Sequence, residues 1–151
     1  MNKAFERWVA NLESGQFQQG TGALSVIKLT SRSDDPGDLT IDDIARNGKH
    51  CCLGVACIDA VRHGIIRFKV LDGGVVRYGT NPDNFDSDGV NSNSGLPVAV
   101  SSYIGVDTSN ASVITADSRD VINMNDTTLA TFADIAAALR AGIPQNAISE
   151  S

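Results

Sequence analysis

The chain has 151 residues, 42% of them apolar and 20% charged, with a net charge of −6. This is the size and mixture of one globular domain, long enough to bury about 70% of its unfolded surface without a disulfide or metal staple. The acidic balance and scattered Lys and Arg argue against a general nucleic-acid binder, while leaving room for one small nucleotide or a basic protein surface. No apolar run approaches the ~20 residues of a membrane span, and no hydrophobic leader precedes the first helix, so a cytoplasmic protein away from membranes is expected.

Residues 3–13 place Phe5, Trp8, Val9 and Leu12 on one helical stripe, with Lys3, Glu6, Arg7 and Glu13 opposite. Ser14-Gly15 ends that helix, and a Gln- and Gly-rich link leads to an expected strand over 24–30. Residues 31–38 carry strong turn chemistry, and Leu39 to Arg46 read as a short helix or turn.

The segment from Lys49 to His63 is the most unusual. Cys51, Cys52 and Cys57 lie within seven residues, an odd count that suits a reducing compartment. A helix from Cys52 aligns Cys52, Val55 or Ala56, Asp59 and Arg62 or His63, and Gly64 stops it. Runs 65–70 and 75–79 flank Asp72-Gly73-Gly74, a hairpin signal. Residues 80–95, rich in Asn, Asp and Gly, read as a loop.

Pro97 is expected as the first residue of a short helix with Val100, Tyr103 and Ile104 inward, and residues 111–115 as a short strand. Thr131-Phe-Ala-Asp134 is a capping box opening a helix with Phe132, Ile135, Ala136 and Leu139 on its apolar face. Gly142 and Pro144 end it. The expected whole is a single α+β domain over 1–144, a small antiparallel sheet with a hairpin packed on about four helices, followed by a frayed tail over 145–151.

Three stretches together resemble a family of small phage and prophage proteins. They are Trp8-Val-Ala-Asn-Leu-Glu-Ser-Gly15 with Gln19-Gly20-Thr-Gly-Ala-Leu24; His50-Cys-Cys-Leu-Gly-Val-Ala-Cys57; and Leu96-Pro97, Tyr103-Ile-Gly105, Met124-Asn-Asp126 and Phe132-Ala-Asp-Ile-Ala136. The family places an acid directly after the third cysteine; here Ile58 stands there and Asp59 follows. The resemblance implies a phage or prophage origin, and no mechanism.

If the chain is an enzyme, a hydrolase or transferase, the candidates are Cys51 or Cys52 as nucleophile with His50 or His63 as base, because a thiolate is favoured by a helix N-terminus or a nearby imidazolium. The competing reading makes the cysteines small buried hydrophobes, with Gly54 admitting a second backbone. One cysteine cluster with two histidines lacks the paired spacing of a zinc site, so no metal and no cofactor are expected. Asn84 to Gly95 only partly copies a calcium loop, since Gly95 stands where Glu is required. Asn123, Asn125 and Asp126 read as caps and turns or as the polar lining of a ligand pocket. The function this supports is a phage-derived accessory protein that binds a host protein or a small nucleotide signal, with countering host defences as one such role; a homo-oligomer is compatible with it. A minor structural protein of the phage particle is the remaining alternative.

Overall fold

A computed structural model describes residues 3–28, 39–82, 91–92, 95–106, 120–126 and 130–141. The α+β class holds, with six α-helices and six short strands in two three-stranded sheets among the described residues.

The first helix, α1, spans Lys3–Glu13 and buries Ala4, Phe5, Trp8, Val9 and Leu12, the expected stripe plus one alanine. Strand β1 is Gln18–Gln19, β2 is Ser25–Val26 and β3 is Lys49–His50. β3 is central, parallel to β1 and antiparallel to β2. The strand expected over 24–30 is thus narrower, and its last two residues lie outside the described ones. Between them α2, Ile41–Asn47, opens on a capping box in which Thr40 and Asp43 each accept from the other's backbone N–H.

The third helix, α3 (Cys52–Arg62), is buried all round from Cys52 to Ala60. An apolar helix without a polar face belongs in the middle of a core. Its neighbours are α1, α2, α4 and α5. Gly54 allows one of its crossings: a Cβ there would lie 1.8 Å from the carbonyl oxygen of Leu24.

The expected hairpin forms. β4 (Arg67–Val70) pairs antiparallel with β5 (Val76–Gly79) in the register Arg67↔Gly79, Phe68↔Tyr78, Lys69↔Arg77 and Val70↔Val76. The 3-10 turn Asp72–Gly74 joins them, with Gly74 at φ 88°. A Cβ on Gly74 would also meet the Ile27 oxygen at 1.8 Å, because this turn carries the join between the sheets: Ile27 N–H donates to the Gly74 carbonyl, and Val26 bridges Val75. β6, Asn91–Ser92, completes the second sheet.

Helix α4 spans Val98–Ile104, with Val100 and Ile104 buried. Pro97 is its N-cap residue rather than its first turn, with an extended ψ of 145°. A short helix, α5 (Val121–Asp126), follows Asp120, whose carboxylate accepts from the N–H groups of Ile122 and Asn123. The last helix, α6 (Phe132–Arg140), has the expected Thr131–Asp134 capping box and buries Phe132, Ile135, Ala136, Ala138 and Leu139. It packs on α1, and a two-point ion pair from Arg140 to Glu13 ties their ends. The buried side chains form one cluster running from α1 through α3 to α6. The strand expected at 111–115, the loop over 31–38, the partial calcium loop from Asn84 and the tail beyond 141 lie outside the described residues.

Candidate functional site

The motif His50-Cys-Cys turns inward. Cys51 is the N-cap residue of α3 and makes no side-chain cap bond, and Cys52 begins the helix. All three cysteines are free thiols and buried. Burial pushes the Cys51 thiol up to about 11, outweighing the Gly54 and Leu53 N–H groups that favour its thiolate. Cys52 and Cys57 are raised well above the ordinary value for the same reason. Cys52 Sγ donates to the Val121 carbonyl at 3.5 Å, joining α3 to α5. At neutral pH these groups are protonated thiols packed among apolar side chains, a state that is a poor nucleophile.

His50 has no exposed surface and sits in a chain of hydrogen bonds. Nε2 lies 3.3 Å from the Ala45 carbonyl, Nδ1 lies 2.7 Å from Ser25 Oγ, and that oxygen lies 2.8 Å from the Tyr78 hydroxyl. Burial depresses the His50 pKa to about 4, against the pull of the Ala45 and Ile44 carbonyls. The ring is therefore neutral at pH 7. A carbonyl can only accept, so the proton is on Nε2, Ser25 donates to Nδ1, and Tyr78 donates to Ser25. The chain joins β3, β2, β5 and the end of α2.

The depressed pKa has a measurable consequence. In the unfolded chain His50 titrates near 6.5, while the folded protein refuses the proton down to about 4. Between those values the unfolded state binds more protons, so stability falls as pH falls. The loss should reach about 2 kcal/mol at pH 5, above the range where most carboxylates titrate. Urea unfolding at pH 7.5, 6 and 5 should show the midpoint dropping across this window. A flat profile would contradict the buried neutral imidazole.

A second network centres on Asn125 of α5, 1% exposed. Its Oδ1 accepts from Gln19 Nε2 at 2.9 Å and from the Cys52 N–H at 3.3 Å. Its Nδ2 donates to the Gly20 carbonyl and to Asp126 Oδ1, both at 2.8 Å. All four bonding positions of the amide are thus used within the chain. Gln19 extends the network: Nε2 also donates to the Ala130 carbonyl, and Oε1 accepts from the first N–H of α6, that of Phe132. Asp126 is half-buried beside this hub, and Asn123 is exposed on the outer side of α5.

His63 lies at the far end of α3, about 16 Å along its axis from Cys52 at 1.5 Å per residue. It has no part in the cysteine cluster. Instead it joins Asp59, Arg7 and Tyr103 where α1, α3 and α4 meet. Asp59 is buried, with Arg7 Nε at 3.3 Å and the Tyr103 hydroxyl donating to its Oδ2 at 3.0 Å. Arg7 Nη2 also donates to the Tyr103 oxygen, and its guanidinium lies 5.9 Å from the centre of the Tyr103 ring. His63 Nδ1 is 2.9 Å from the Asp59 carbonyl and 3.4 Å from Oδ1, which leaves Nε2 on the outer side of the ring. Burial and the nearby Asp59 raise the Tyr103 pKa.

The structure thus brings Cys52 together with Asn125, and Asn125 with Asp126, and separates His63 from both. The residues that complete the networks, Arg7, Gln19, Ser25, Asp59, Tyr78 and Tyr103, were not among the candidates read from sequence. Asp59 had the plainest signal: a carboxylate in the middle of an apolar helix needs a partner. Among the described residues no group of three His, Cys, Asp or Glu side chains is arranged to hold a metal, and no helix is long and apolar enough to cross a membrane. No protein-family model, curated protein or solved structure matches this chain.

Proposed function

We propose that this is a phage-derived accessory protein that acts by binding a host protein or a small nucleotide signal. The phage origin rests on the resemblance of its three motifs. The observation that carries binding over thiol catalysis is the state of the His50-Cys51-Cys52 segment. Its thiols are enclosed and protonated, and its imidazole is committed at both nitrogens to Ala45 and Ser25. A cysteine nucleophile needs a reachable thiolate and a base with a free lone pair. Here the cysteine-rich motif makes core and helix junction, which leaves the surface to carry the activity.

The test combines thiol reactivity with stoichiometry. A chromogenic disulfide reagent should label all three cysteines slowly in the native protein and rapidly after denaturation. Calorimetric titration with a panel of cyclic nucleotides and with fractionated host proteins should find a partner that saturates at one equivalent and is recovered chemically unchanged. Fast native labelling, with turnover lost in Cys51→Ser or Cys52→Ser, would replace the binder with an enzyme.

A further inference from the structure

Asn47 and Gly48 form the joint between α2 and β3, and they are the one Asn-Gly pair in the chain. That pair carries a chemistry of its own. The backbone nitrogen after an asparagine can attack the side-chain amide carbon. A C–N bond forms, the C–NH2 bond breaks, and ammonia leaves with the proton of the attacking nitrogen. The product is a five-membered succinimide. Water then opens it at either carbonyl, giving aspartate or isoaspartate; in the latter the main chain runs through the side chain and is one methylene longer. Glycine in second place favours closure, since no Cβ crowds the attacking nitrogen.

The fold treats the two reacting groups differently. Asn47 is exposed, so water reaches its amide. Gly48 is buried, and its N–H donates to the Ile44 carbonyl at 2.9 Å, closing the helix. Its surroundings are tight as well: a Cβ there would lie 2.7 Å from the Ile44 oxygen, 3.0 Å from His50 Cε1 and 3.1 Å from the Val26 oxygen. A flat succinimide needs Asn47 Cβ and the Gly48 nitrogen nearly eclipsed about the Cα–C bond. A helical ψ of about −42° keeps such atoms well apart. The nitrogen can attack only once it releases Ile44 and the last turn of α2 opens.

We propose that Asn47 is a modification site gated by the fold: it deamidates when the last turn of α2 opens, and the isoaspartate formed keeps that turn from closing again. The site is independent of what the protein binds. The extra methylene enters between α2 and β3, whose spacing is fixed by the His50 Nε2 contact with the Ala45 carbonyl and by the pairing of His50 with Gln19 and Ser25. The crowding around Gly48 leaves no room to take up the added length. The new carboxylate also stands at the carbonyl end of a helix, where the macrodipole disfavours negative charge.

The experiment incubates the protein at pH 8 with a thiol reductant, once folded and once in guanidinium chloride above its unfolding midpoint. Cleavage after lysine releases peptide 29–49, in which Asn47 is the only side-chain amide, so the mass gain on exchange of NH2 for OH reports this residue alone. Conversion should be at least tenfold slower in the folded protein. The unfolded sample, partly converted, is then returned to native buffer, and refolded chain is separated from misfolded and aggregated chain by gel filtration. Isoaspartate at this position, told from aspartate by electron-transfer fragmentation, should be depleted at least threefold in the refolded fraction relative to the input. Asn47→Gln, which would have to close a six-membered ring, should stay unconverted in both conditions and refold in higher yield after the same treatment. Equal rates in the folded and unfolded chain, no conversion in the unfolded chain, or isoaspartate refolding in proportion to its input would each overturn the proposal.

Discussion

Gly54→Ala should destabilise the protein by about 3 kcal/mol or more, a large share of the 5–15 kcal/mol that holds a typical domain together. Alanine favours an isolated helix over glycine by about 1 kcal/mol, so propensity alone predicts the opposite sign. The added Cβ, however, would stand 1.8 Å from the Leu24 oxygen, 2.7 Å from its carbon and 3.2 Å from Ser25 Oγ. Two of these are backbone atoms and cannot rotate away. Moving them would stretch the bond in which Cys51 N–H donates to the Leu24 carbonyl at 3.0 Å, and would displace Ser25 from the His50–Ser25–Tyr78 chain. Overpacking of this kind costs about 1–3 kcal/mol or more, and each broken bond about 1 kcal/mol. Gly22→Ala is the control: its φ is +83° but nothing lies within 4 Å, so only backbone strain of about 1–2 kcal/mol is expected. Thermal or urea denaturation separates the two. Equal losses would mean that Gly54 serves conformation and not close approach.

Gly54 also marks how far the sequence could be read. A glycine inside an apolar helical pattern suggests that another backbone comes near, but it does not say which. Local patterns were legible where one period ran long enough: the stripe of α1, the capping box of α6 and the Asp72–Gly74 hairpin. The two-residue strands β1 and β3 leave no period, and the parallel pairing of Gln18–Gln19 with Lys49–His50 joins segments 31 residues apart. Helix α5 had a usable signal in Asp120 before Val121 and Met124, a cap followed by apolar residues three apart, which the run of Asn and Asp obscured. At the candidate site, sequence brought the residue types into view and left their partners out. His50 beside Cys51 and Cys52 reads as a nucleophile with its base. The imidazole is held by Ser25, twenty-five residues before it, and through Ser25 by Tyr78. Polar residues in buried positions find partners by tertiary geometry, and spacing along the chain carries no trace of it.

Asn125→Ala should cost about 3–5 kcal/mol, because the amide closes contacts that no neighbour can replace. Its removal strands the Cys52 N–H at the start of α3, the Gly20 carbonyl and one donor direction of Gln19. Each polar group left buried without a partner costs about 1–3 kcal/mol. Gln19 would remain tied to Ala130 and Phe132 and Asp120 would still cap α5, so the loss falls on the first N–H of α3 and on the join of α5 to Gly20. Asn125→Asp is the sharper test, since it keeps the shape and both acceptor bonds. It removes both donors and sets a new carboxylate against Asp126 Oδ1 and the Gly20 carbonyl, which repel its charge. The introduced acid should therefore hold its proton more tightly folded than unfolded. Relative to wild type, the loss should be largest at neutral pH and shrink as pH falls, when the protonated acid can donate once more. This trend runs opposite to the one His50 imposes on the wild-type protein. Urea midpoints of wild type and Asn125→Asp at pH 7.5 and pH 5 should accordingly converge. Equal offsets at both pH values would show that the amide's donors do not hold this junction.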